Sequence, residues 1–170
     1  MRLFWGLLVV SLALSLVCAG CGSQPPRQLY ETSGAFSYDP PPGWQIIDYP
    51  GVKYRLSHGS PENEFAPNIN VVDEAFSGTL GAYVDANLES LERQVSNLKV
   101  LTREDFKTRD NEVAVKVVIE NTQQGRNLRQ TFFFLGSGNR KYVVTCTALA
   151  DGGARLDAVF AKSVATFRIH

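Results

Sequence analysis

Leu128-Arg129-Gln130-Thr131-Phe132-Phe133-Phe134-Leu135 is the stretch that decides the fold. Side chains alternate between the two faces of a β-strand, so three consecutive phenylalanines put rings on both sides of one strand. Such a strand must be covered on both faces near its middle. Turn chemistry brackets it, with Gln124-Gly125-Arg126-Asn127 before and Gly136-Ser137-Gly138-Asn139-Arg140 after.

The neighbouring segments extend it into a meander. Val100 to Lys107, Glu112 to Thr122 and Lys141 to Ala150 are predicted strands, and short turns between consecutive strands imply antiparallel pairing. Val113, Val115, Val117 and Ile119 share one face of their strand, with Ala114, Lys116, Val118 and Glu120 on the other. Upstream, Phe36-Ser37-Tyr38 is a short strand, and Pro40-Pro41-Pro42 is an exposed extended turn that lacks three backbone donors. Trp44 to Tyr49 and Val52 to Ser57 then pair as a hairpin about Pro50-Gly51, and Asn68 to Phe76 is a further strand.

Two helices interrupt the strands. Leu80, Tyr83, Val84, Leu88, Leu91, Val95 and Leu98 recur near a 3.6-residue period, a stripe for core packing. A second helix is expected from Ala154 to Ser163, capped by Asp151 and followed by a short edge strand at Thr166 to Ile169. The expected fold class is α+β, a mostly antiparallel sheet flanked by helices in an α/β/α sandwich.

Residues 1–34 are of a different kind. Met1-Arg2 precedes an uncharged apolar run from Leu3 to Val17, about 15 residues, which is short of the ~20 a membrane-spanning helix needs. It ends in Leu16-Val17-Cys18-Ala19-Gly20-Cys21, small residues placed directly before a cysteine, the pattern of a bacterial lipoprotein signal. Residues 1–20 are expected to be a signal peptide, Cys21 the site of lipid attachment, 21–34 a polar tether and 35–170 one domain; the alternative is an ordinary signal peptide cut near Ala19, with Cys21 left as a free thiol. Each buried CH₂ of an acyl chain contributes ~0.8 kcal/mol, so two or three chains hold a protein at a bilayer without a helix. Gly22 follows the cysteine, so retention at an inner membrane is not signalled. The expected location is a cell or outer membrane, facing the periplasm or exterior.

Charge and chemistry narrow the functional classes. The 17 basic residues balance the 17 acidic ones, which argues against a nucleic-acid partner and against a surface held to anionic lipid by net charge. Removal of the leader leaves Cys146 as the one thiol besides Cys21, in a strand-like run that favours a buried core position. His58 and His170 are far apart and expected at the surface, and Glu62, Glu64, Asp73 and Glu74 are expected to be solvated acids, so neither a metal nor another cofactor is assigned. No Gly-x-Ser-x-Gly elbow or phosphate-cradling loop occurs, and no catalytic residue is assigned. Trp44, Tyr49 and Tyr54 cluster around one hairpin, where they are either core or a surface for a partner.

The order of elements, with Phe36-Ser37-Tyr38, Pro42-Gly43-Trp44, a helix after the fourth strand, a long meander and a closing Ser163-Val164-Ala165-Thr166-Phe167, resembles the PsbP/Mog1-like superfamily over Ala35 to Ile169. That resemblance implies non-enzymatic roles: extrinsic proteins of photosystem II, a nuclear Ran-binding factor, and bacterial periplasmic proteins or lipoproteins. It brings no mapped metal or partner residue. The expectation is a membrane-anchored, non-catalytic lipoprotein that binds or stabilises an envelope protein complex. A photosystem II extrinsic or assembly factor facing the thylakoid lumen is one alternative. A small-molecule carrier or enzyme with an unrecognised site is another.

Overall fold

The structure, a computed structural model, describes residues 28–136 and 138–170. The expected signal peptide, Cys21 and the first part of the tether lie outside the described residues. In chain order the elements are β1 (Leu29–Glu31), β2 (Phe36–Tyr38), β3 (Gln45–Ile47), β4 (Leu56–His58), β5 (Asn68–Ala75), α1 (Leu80–Gln94), β6 (Ser96–Lys107), β7 (Val113–Gln123), β8 (Arg126–Leu135), β9 (Arg140–Leu149), α2 (Asp157–Val164) and β10 (Arg168–Ile169). A 3-10 turn, Gly153–Leu156, leads into α2.

Seven strands form one sheet in the order β3-β4-β5-β9-β8-β7-β6, and β1-β2-β10 form a second. Every pairing is antiparallel. The meander β6 to β9 returns to pair with β5, in register from Asn68 opposite Thr147 to Ala75 opposite Arg140.

The phenylalanine run in β8 sorts the core into two layers. Phe132 and Phe134 pack with Val117, Ile119 and Val143 under Tyr83, Val84 and Leu91 of α1. Phe133 points the other way, into a cluster with Val144 and Cys146 that is closed by Phe36 and Tyr38 of the small sheet, Phe160 and Val164 of α2, and Phe167. All three rings are fully buried, each such burial being worth ~1.5–3 kcal/mol. The layers are thus α1, the large sheet, and the small sheet together with α2, an α+β sandwich as expected.

Local details depart from the sequence reading. Residues 29–31, assigned to the tether, form β1 and pair with β2, because Leu29 has a buried place in the core. The hairpin pairs only at its base, Gln45 opposite His58 and Ile47 opposite Leu56, so residues 48–55 form a longer connection than a tight turn. The first helix stops at Gln94, with Thr79 as N-cap accepting from the Ala82 amide. Val95 and Leu98 reach the same core from beyond the helix end, Leu98 from β6. Asp151 does not cap the last helix: left-handed Gly152 (φ 70°) starts the 3-10 turn, and Asp157 opens α2.

Candidate functional site

Asp73 is the most heavily bonded carboxylate among the described residues. It lies on β5 opposite Tyr142 of β9, and Arg140 is two residues before Tyr142, so register places Arg140 beside it. Arg140 donates from Nε to Oδ2 at 2.8 Å and stands 2.7 Å away through its terminal nitrogen. The β3–β4 connection supplies the rest: Lys53 Nζ and the Tyr54 hydroxyl each donate to Oδ1 at 2.5 Å. The Asp73 side chain is only 7% exposed. Burial acts to raise its pKa, but the bonds from Lys53, Tyr54 and Arg140 outweigh that and hold the carboxyl below the usual range. Against the burial that opposes their charge, Asp73 raises the pKa of Lys53, and its bond raises that of Arg140.

The arrangement is a clamp between the hairpin and the sheet. Tyr54 is buried, with its ring edge-on to Phe36, 5.1 Å between centroids. Tyr142 donates to the Gly34 carbonyl at 2.9 Å and tilts against Phe167. Expected as a solvated acid, Asp73 is instead the bonded centre of this region. Glu74 too is engaged, accepting from the Tyr83 hydroxyl at 2.6 Å.

The three aromatics singled out in the sequence are divided among the layers. Trp44 is half-buried against Phe160, edge-on at 6.1 Å, and Tyr54 shares that core. Tyr49 belongs to a separate small cluster with Ile47, Val52 and Leu56. One groove lined by all three is therefore not formed, and Trp44 and Tyr49 retain partial exposure.

Both histidines are engaged. His58 is buried, its Nδ1 2.9 Å from the Gly59 carbonyl, which corrects the expectation of a surface residue. His170 is exposed, as expected, yet its Nε2 lies 2.9 Å from Ser37 Oγ and its ring 5.1 Å from that of Tyr30. Cys146 is a free, buried thiol whose pKa burial pushes well up, matching its reading as a core residue.

Two further polar clusters carry no signal in the sequence. Gln130 accepts from Asn121 and Gln123 and donates to Thr147, a buried row across β7, β8 and β9. Arg129 bonds both carboxylate oxygens of Asp157, at 3.0 and 2.6 Å, and Glu120 at 3.1 Å, tying α2 to the sheet. Among the described residues no three His, Cys, Asp or Glu come together as metal ligands, and no helix is long and apolar enough to cross a membrane.

Over the described residues, this ten-stranded antiparallel arrangement with two helices shares the fold of a cyanobacterial PsbP. Among solved structures, cyanobacterial PsbP (CyanoP) from Synechocystis sp. PCC 6803 superposes with a TM-score of 0.62 at 12% identity, covering 91% of this chain and 98% of that one. LpqN of Mycobacterium tuberculosis, described as involved in cell envelope biogenesis, gives 0.57 at 12% identity over 79% of this chain and 82% of its own. PA94 of Pseudomonas aeruginosa, a protein of unknown function described as a putative regulator, gives 0.55 at 14% identity over 71% and 92%. No family model and no curated protein matches the sequence.

Proposed function

We propose that this protein is a lipid-anchored, non-catalytic domain that binds or stabilises a protein complex of the cell envelope. The observation that carries the reading is its likeness in fold, along most of its length, to a PsbP and to an envelope-biogenesis protein. The leader ending in Ala19-Gly20-Cys21 supports the anchor. Asp73 and Arg129 are both bonded to partners within the chain, which suits a structural role for these two clusters.

Cross-linking on intact membranes, followed by affinity capture, tests it. The wild-type chain is expected to bring down a defined membrane complex, and Cys21→Ser to leave the membrane and lose it. Membrane attachment of Cys21→Ser, or a wild-type chain captured alone, would overturn the reading. The likeness to cyanobacterial PsbP also favours a second reading, an extrinsic or assembly factor of photosystem II; under it the captured complex is that photosystem.

A further inference from the structure

The first described strand fixes where the anchor joins the fold. Cys21 and Leu29 are eight residues apart, so a lipid on Cys21 keeps β1 within about 29 Å of the bilayer even when the connection is fully extended. Around β1 the ionic groups are sorted by depth. The side chains of Lys53, Arg55 and Arg140 are 56%, 40% and 42% exposed, whereas the acids they pair with, Asp73 and Glu31, are 7% and 13% exposed. Three cations thus share two recessed carboxylates, and the outward layer is basic although the whole chain is neutral.

These cations surround one feature, the turn between β1 and β2. Arg55 donates to the Tyr30 carbonyl at 2.7 Å and to Glu31 at 2.7 Å. Arg140 lies over Tyr142, which holds the Gly34 carbonyl, and Lys53 lies over Tyr54, which packs on Phe36. Tyr30 adds an exposed ring, 48% accessible, on β1 itself. An amphipathic aromatic ring beside exposed Lys and Arg is the combination that sits at a headgroup layer.

We infer that this surface, Tyr30 with Lys53, Arg55 and Arg140 around the β1–β2 turn, faces the bilayer and contacts lipid phosphates. The inference rests on the lipid-anchor reading. The acyl chains supply attachment, and the basic surface supplies orientation. One face of the small sheet is then turned to the membrane, while α1, a full layer away, is turned to the compartment.

Fluorescence of the lipidated mature protein, which begins at Cys21 and so lacks Cys18, tests this on vesicles. An environment-sensitive probe is placed on Ser33→Cys, in the exposed turn, or on Glu92→Cys, on the outer side of α1. Burial of Cys146 and acylation of Cys21 leave the introduced thiol as the labelled one. On vesicles of equal parts phosphatidylcholine and phosphatidylglycerol, a blue shift is expected at position 33 and none at 92. The shift should weaken on pure phosphatidylcholine and in Lys53→Gln. Equal emission at both positions in protein that sediments with the vesicles, or a shift at 33 that ignores lipid charge, would overturn the orientation alone. Protein that fails to sediment would overturn the anchor and the orientation with it.

Discussion

Asp73 shows how a single buried carboxylate organises distant parts of the chain. Its partners are 19 to 67 residues away, and only strand register and the hairpin's path bring them together. Nothing in Val72-Asp73-Glu74 announces this, which is why the pair reads as two solvated acids in the sequence; the alternation Val52, Tyr54, Leu56 did place Tyr54 inward. The clamp makes a pH prediction. The folded-state pKa of Asp73 is depressed, so its contribution is fully present above the unfolded value of ~3.9 and is lost as pH falls through the lower folded value. Lys53 and Tyr54 are raised, so their contributions are present below ~10 and are lost as pH rises through their folded values. Asp73→Asn should lower unfolding free energy at neutral pH by about 2 kcal/mol and flatten both limbs of the stability profile. Urea titrations across pH check this, and an unchanged acid limb would contradict it.

At the scale of elements, the strands of the meander are legible in the sequence, whereas β1 and the ends of the helices are not. Phe132 to Phe134 could only belong to a doubly covered strand, and the two clusters divide them as alternation requires. Val95 and Leu98 misled because a residue beyond a helix end can reach the same core as one within it. Asp151 misled because Gly152 and Gly153 tighten the chain into a 3-10 turn before the α-helix opens. The real anchor of α2 is Arg129, whose salt bridges to Asp157 and Glu120 link it to the middle of the large sheet. Arg129→Ala should cost roughly 2 kcal/mol, since it strips the partly buried Asp157 of two charge-assisted bonds. Hydrogen exchange should show α2 amides losing protection before those of α1. Equal loss in both helices would mean that α2 has no separate attachment.

For the whole molecule, the layering explains both what the sequence disclosed and what it withheld. Binary pattern and turn residues specify a sandwich, and a sandwich of this order is recognisable at 12% identity because the pattern survives where residues do not. Functional position is carried by a different part of the chain. Leu29 and Tyr30 extend the fold back toward Cys21, so that the folded domain begins only a few residues from the proposed lipid. Under the proposed anchor, such a domain would act through its surface and its location.

Intact mass spectrometry of the mature protein tests that claim most directly. A lipid-anchored protein should begin at Cys21, lack residues 1–20 and carry a thioether-linked diacylglycerol. A mature chain that retains residues 1–20, or one with Cys21 as an unmodified thiol, would contradict it.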